Sequence, residues 1–419
     1  MSKSITWKVI IICSLFLIIS GWVLAGKDNL FAYSDKDNKT QPGVLMLLLD
    51  DPAKPPPQPA GTLPVLDTGQ TRCYDNAQEI TCPEPGEPFY GQDAHYQPRI
   101  PRSYTKLGTG GIELLDDEPH IDAGGQWIMT RDNVTGLVWE VKTEDEGLRN
   151  KDNTYTWYNP DADNQGTPDG GDCTGSACDT YFYIQALNHP DLEFGGFSDW
   201  RVPSRQELSS LIDRDDYNPV IETHWFPHTS VSNYWTSTAF PTHYPGAWRL
   251  DFFHGLVGGA DKTVAYHVRA VRGGQPGTLP HIIDNEDGTL TDQNSGLMWQ
   301  KCNKGESWNE TTIECEGTAL VHTWEEALSA AESLRLAGYY DWRLPNINEL
   351  QSLVDDSKFN PAILDQLAAE TKSNYYWSST TYHGVMNMAW IVYFFNGFVL
   401  TSDKEEGKNY MRAVRTVTD

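Results

Sequence analysis

Residues 195–208 read GGFSDWRVPSRQEL, and residues 337–350 read AGYYDWRLPNINEL. The landmarks around the two phrases also match, and in the same order. Asp132-Asn133-Val134-Thr135-Gly136-Leu137-Val138-Trp139 answers Asp292-Gln293-Asn294-Ser295-Gly296-Leu297-Met298-Trp299. Asn218-Pro219 answers Asn360-Pro361, Tyr234-Trp235-Thr236-Ser237-Thr238 answers Tyr376-Trp377-Ser378-Ser379-Thr380, and the closing VRAVR (268–272) answers MRAVR (411–415). A series this long and this ordered means two copies of one folding unit, which has to be settled before any finer reading.

Most of the phrase is chemistry for starting a helix. Ser204 and Glu207 have the spacing of a capping box, in which the hydroxyl accepts the Glu207 amide and the carboxylate reaches back to the Ser204 amide. Asn346 and Glu349 repeat the device. Pro203 and Pro345 stand just before each cap, placed to staple to Leu208 and Leu350. Leu208, Leu211 and Ile212 then make one apolar stripe, and Leu350, Leu353 and Val354 the other. What remains is Asp199-Trp200-Arg201 and Asp341-Trp342-Arg343. A functional reading would have the arginine grip an anion and the tryptophan stack on a sugar. The structural reading puts the tryptophan in the core and pairs the arginine with a carboxylate, its stem against aromatics. Both copies keep the trio while neighbours that would tune a ligand differ. Trp200, Arg201, Glu207, Trp342, Arg343 and Glu349 are therefore expected to be structural anchors.

The rest of each copy reads as a compact α+β unit. TGLVW and SGLMW are short apolar runs after a turn residue, which suits strands. HTWEEALSAAESLRLAG has helical spacing and a terminal glycine. AWRLDFFHGLV and AWIVYFFNGFV read as hairpins turning at His254-Gly255 and Asn396-Gly397. Antiparallel, aromatic-rich sheets with a few helices are expected.

Working outward, 419 residues allow two or three domains. Residues 106–273 and 281–417 are read as the repeats, and 67–105 as a leader stapled by Cys73 and Cys82 that packs on the first repeat. Residues 26–66 form a proline-rich spacer. Residues 1–25 have the basic start, apolar run and small-residue end of a secretory signal, with an uncleaved membrane anchor as the alternative. Either way the remainder is expected to be exported: secreted, periplasmic or on the cell surface. With Cys13 inside the apolar run, six cysteines remain as local couples: Cys73 with Cys82, Cys173 with Cys178, Cys302 with Cys315. An oxidising compartment makes these disulfides, whereas zinc would want two-residue spacings and nearby histidines. The net charge of -27 opposes nucleic acid or any polyanion held by bulk electrostatics. Membrane contact is expected only through the N-terminal segment, if it is uncleaved.

The set TGLVW, GGFSDWRVPSRQEL, Asn-Pro, YWTST and VRAVR resembles the family of secreted bacterial domains that includes the C-terminal domain of the Legionella collagen-like adhesin. The segment from Asp67 to Tyr96 is similar to the leader that precedes such domains. The resemblance covers about residues 67–417 and implies two tandem C-type-lectin-like domains, but little about chemistry. It implies little about the ligand. The Glu-Pro-Asn or Gln-Pro-Asp loop of calcium-dependent sugar-binding lectins is absent, and Trp308-Asn309-Glu310 matches their Trp-Asn-Asp strand only in isolation. The acidity also runs against the sulfated glycosaminoglycans that the adhesin binds.

Among chemical constellations, Asp161, Asp163, Asp169 and Asp172 space hard oxygen donors around Gly166 as in calcium loops; the alternative is a solvated acidic loop. Asp284-Asn285-Glu286-Asp287-Gly288 reads as a simple turn. No catalytic residue is assigned. A formylglycine-type oxidase would need reactive thiols, and the cysteines are committed elsewhere. The expected function is binding of carbohydrate or a cell-surface protein, with calcium as the one cofactor in view. A carboxylate-pair hydrolase is the alternative, since so many acids leave room for one.

Overall fold

A computed structural model describes residues 64–96, 100–241, 246–273 and 281–417. The expected signal segment and nearly all of the spacer lie outside the described residues. Among the residues described, no helix is long and apolar enough to cross a membrane.

Both copies are built from antiparallel sheets with few helices. In the first, strands Tyr104–Leu107, Met129–Asp132, Leu137–Glu140 and Val271–Gly273 form one sheet, the last strand lying beside Leu137–Glu140. In the second, Ile282–Asp284, Thr289–Asp292, Leu297–Gln300 and Val414–Thr416 repeat that order. TGLVW and SGLMW thus supply central strands, with Trp139 and Trp299 wholly buried. The VRAVR and MRAVR ends bring each copy back to its own beginning. The first sheet already starts at Tyr104, slightly ahead of the boundary read at 106.

A second sheet joins the copies. Asn233–Ala239, Gly246–Asp251 and Val257–Asp261 form three strands of it, and Tyr375–Thr381, Met388–Tyr393 and Phe398–Asp403 the other three. The hairpins turn where the sequence placed them, with Gly255 and Gly397 at φ 84° and 81°, a left-handed conformation that suits glycine. Val257 pairs antiparallel with Val399, making one six-stranded sheet. Beneath it lies a shared core in which Leu208, Leu211, Ile212 and Trp248 meet Leu350, Leu353, Val354 and Trp390. Each copy also keeps a core of its own, around Trp200 and Trp235 in one and Trp342 and Trp377 in the other. The copies are therefore fused through buried apolar surface, at about 25 cal/mol for each Å² removed from water.

The helix starts and the Tyr-Trp strands depend on each other. Both capping boxes form, Ser204 with Glu207 and Asn346 with Glu349. The Tyr-Trp strands shift register after Trp235 and after Trp377, a bulge that frees the next residues from the ladder. There Thr238 Oγ1 accepts the Arg205 amide and Thr380 Oγ1 the Ile347 amide, each at 3.0 Å. Ser237 and Ser379 donate their amides to the carbonyls of Pro203 and Pro345. The Tyr-Trp strand and the Arg-Val/Leu-Pro phrase recur together because each satisfies the other's backbone.

The leader departs from expectation. It docks chiefly on the second copy, where the Gln70 side chain brackets the backbone of Thr381 at 2.9 Å on both sides. Asp93 Oδ2 accepts from Thr380 at 2.7 Å and from Thr68 at 2.8 Å. Lys404 Nζ donates to the Asp75 carbonyl, and Phe89 packs near Trp324. Contacts to the first copy are fewer, with Arg72 to Asp215 the main ion pair. The physical reason is the Gln70 side-chain amide, whose donor and acceptor complete the backbone of a bulged strand. Leu66, read as spacer, is also buried.

Candidate functional site

Arg201 donates to both Glu207 oxygens at 2.6 Å, and Arg343 to both Glu349 oxygens at 2.6 Å. One oxygen of each carboxylate also accepts the cap amide, Ser204 N at 2.8 Å and Asn346 N at 2.9 Å. The glutamate of the capping box is thus the partner of the arginine. Trp200 Nε1 donates to the Phe194 carbonyl and Trp342 Nε1 to that of Leu336. Asp199 pairs with Arg272 and Asp341 with Arg415, tying the phrase to the closing strand. Proximity to Glu349 holds the Arg343 guanidinium above its ordinary pKa, against burial. Arg201 with Glu207 and Arg343 with Glu349 thus brace the two helix starts, while Trp200 and Trp342 lie in the core of each copy.

The three disulfides join Cys73 to Cys82, Cys173 to Cys178 and Cys302 to Cys315. The acidic insertion lies on the surface of the first copy. Asp161, Asp163, Asp169 and Asp172 are all exposed, and no three of their carboxylates come within 4.8 Å of one another. Asp169 Oδ1 accepts the Cys178 amide at 2.9 Å, while its own amide donates to Asp179 Oδ2. Asp172 exchanges backbone hydrogen bonds with Thr154.

The copies differ most usefully at one end of the shared sheet. Tyr375 and Tyr393 are cross-strand partners with ring centroids 4.2 Å apart and planes at 28°. Tyr393 stacks on Phe395 at 5.5 Å, and Phe395 meets Phe359 edge-on at 4.4 Å. Phe359 is 40% exposed and Tyr375 36%, so the ladder has solvent at both ends. Each neighbouring pair adds about 0.5–1.5 kcal/mol beyond area burial, which keeps the rings rigid without covering them. The first copy has Asn233 and Asp251 where the second has Tyr375 and Tyr393. There Asp251 is taken by His254 at 2.7 Å, and Tyr217 turns toward Phe253 and Tyr382. The ladder was missed in the sequence, although aligning the copies exposes it: polar Asn233 and Asp251 against two tyrosines.

A cavity of about 290 Å³ lies between the two helix starts, walled by Leu66, Arg205, Ser209, Asn348 and Gln351. Its lining carries one carboxylate, Asp292. The first copy also buries a charged set, Glu140 with Lys142 at 3.0 Å and with the Tyr183 hydroxyl at 2.5 Å. The second copy has Gln300 and disulfide-bonded Cys302 at those positions. Burial lowers the Lys142 pKa to about 8, against the pull of Glu140.

The family model of the Lcl C-terminal domain matches residues 128–272 and, again, residues 288–415. The chain belongs to the Lcl C-terminal domain family. No curated protein and no solved structure matches it. The family match ends each copy within the closing VRAVR-type strand. It takes in the helix-start phrase of both copies and the whole ring ladder of the second.

Proposed function

We propose that the chain is an exported, non-catalytic binding protein that recognises carbohydrate through the ladder Phe359, Phe395, Tyr393 and Tyr375 of its second repeat. The observation that carries this reading is the ladder itself: four rings braced against one another and exposed at both ends. Rigid aromatic surface lies against the apolar faces of sugar rings with little entropy lost on binding. The acidic field favours neutral glycans over sulfated ones. Membership of the Lcl C-terminal domain family supports adhesion over catalysis, and three disulfides suit an oxidising, extracellular setting. In each copy the closing strand returns to pair with the Gly-Leu-x-Trp strand of the copy's opening sheet, in keeping with a C-type-lectin-like unit.

A glycan array read with the full chain and with Tyr375→Ala and Phe359→Ala variants tests the proposal. Neutral glycans are expected to bind the parent, with the signal falling about tenfold or more in each variant, while melting temperatures stay within a few degrees. Equal binding by the variants, or none by the parent, overturns it. Binding of a surface protein and no glycan would instead identify the partner as protein.

A further inference from the structure

His120, Asp122 and His228 bring one ring nitrogen of each histidine and a carboxylate oxygen within 4.8 Å of one another. His120 precedes the short turn Ile121–Ala123, Asp122 lies within that turn, and His228 sits on the loop ahead of strand Asn233–Ala239. Asp122 Oδ2 is 3.5 Å from His120 Nδ1 and 3.8 Å from His228 Nε2. Donors held about 2.0–2.1 Å from a tetrahedral zinc stand roughly 3.4 Å apart, so the two spacings to Asp122 need to close by only a few tenths of an ångström, and the two histidine nitrogens lie within 4.8 Å of each other.

The surroundings are those of a ligand set. His228 Nδ1 lies 3.4 Å from Glu144 Oε1, a carboxylate behind the second ring nitrogen of the kind that fixes the tautomer of a metal-bound imidazole. The Glu144 amide in turn donates to Asp122 Oδ2 at 2.7 Å. His120 is 7% exposed, and its Nε2 has no hydrogen-bond partner among the described residues. His120 Nδ1 accepts the Asp122 amide at 3.2 Å and caps the turn, while its Nε2, a buried nitrogen of the kind that costs about 1–3 kcal/mol when unsatisfied, is left for a ligand to satisfy. Among the described residues the second copy holds no such group.

We propose that His120, Asp122 and His228 bind a late first-row divalent cation, zinc foremost, with Glu144 orienting His228 and water completing the shell. Two imidazoles and one carboxylate suit zinc, whereas calcium takes six or more oxygens. The ion would pin the turn at 120–123 to the loop carrying His228.

The full chain, stripped by a chelator and dialysed, is titrated calorimetrically with Zn²⁺ and followed spectroscopically with Co²⁺. One zinc is expected to bind at micromolar concentration or below, and cobalt to give the visible absorption of a low-coordinate centre. Asp122→Asn, which still accepts the Glu144 amide, and His228→Ala are each expected to weaken zinc by about tenfold or more. Their metal-free melting temperatures should match the parent's. Glu144→Gln is expected to weaken zinc by about tenfold while leaving stoichiometry at one, as for an orienting carboxylate. His189→Ala, which alters an exposed His–Asp contact elsewhere, is expected to bind as the parent does. No saturable zinc binding by the parent, parental affinity in Asp122→Asn and His228→Ala, or equal loss in His189→Ala overturns the proposal.

Discussion

Arg205 of the first repeat forms an ion pair with Asp356 of the second, and the guanidinium is only 1% exposed. Its Cζ stands 5.4 Å from the centre of the Trp248 ring, and Nη1 and Nη2 have no hydrogen-bond partner among the described residues. Burial raises the Asp356 carboxyl's pKa, and Arg205 opposes that rise. Removing Asp356 strands a buried cation, so Asp356→Ala is expected to cost about 3–5 kcal/mol in denaturant unfolding. Arg205→Ile with Asp356→Leu should recover most of that loss, since Ile347 already occupies the matching place in the second copy.

The two Arg–Glu forks are alike in geometry and unlike in exposure. The Arg201 side chain is 42% exposed, whereas that of Arg343 is 10% exposed and lies against Tyr96 of the leader. An exposed pair contributes about 0–1 kcal/mol, while breaking a buried one is far more costly. Glu349→Gln is therefore expected to lower the melting temperature clearly more than Glu207→Gln. Equal losses in a thermal melt would contradict this.

Burial raises the Asp93 pKa from the ordinary carboxylate range to about 7, with the Thr380 and Thr68 hydroxyls opposing the rise. The folded protein then holds a proton that the unfolded chain releases between about pH 4 and pH 7. Stability from this group is fully present below pH 4 and is lost as pH climbs through 7, on the order of 4 kcal/mol at about 1.4 kcal/mol for each pH unit. Asp93→Asn keeps an acceptor for both hydroxyls. Its unfolding free energy should vary less across that window than the parent's, and should exceed it at pH 8.

Glu140 and Lys142 offer a comparison written into the chain itself. Lys142→Met alone leaves a buried carboxylate and is expected to cost about 3–5 kcal/mol. Adding Glu140→Gln, the residue found at Gln300, keeps the acceptor for the Ala270 amide and should bring stability back to within about 1–2 kcal/mol. Chemical denaturation of the single and double variants measures the recovery.

What the sequence disclosed was local. Ser204 and Glu207 lie three positions apart, Asn396 and Gly397 adjoin, and Cys173 reaches Cys178 within one loop, so a few residues contain the whole argument. Asp169 shows the limit of that method, because the loop pairing that brings the Cys178 amide to its carboxylate cannot be read from spacing. The ladder lay further out of reach: Tyr375 meets Tyr393 through the strand register, and Phe359 meets Phe395 where the Asn360 amide donates to the Phe395 carbonyl. The leader's docking on the second copy, besides its contacts to the first, lay out of reach for the same reason, since Gln70 finds Thr381 across most of the chain.

Val257 and Val399 hold the same position in their respective copies, so the pairing that joins the sheet is self-complementary. That is how a two-fold homodimer meets itself. In those terms the chain is a dimer made covalent, and the linkage frees each half from having to mirror the other. Arg205 opposite Asp356, where symmetry would repeat Ile347 and Arg214, is one use of that freedom. An aromatic ladder on one half and a histidine pair on the other is a second, and neither could have arisen on one side alone while both halves were encoded once.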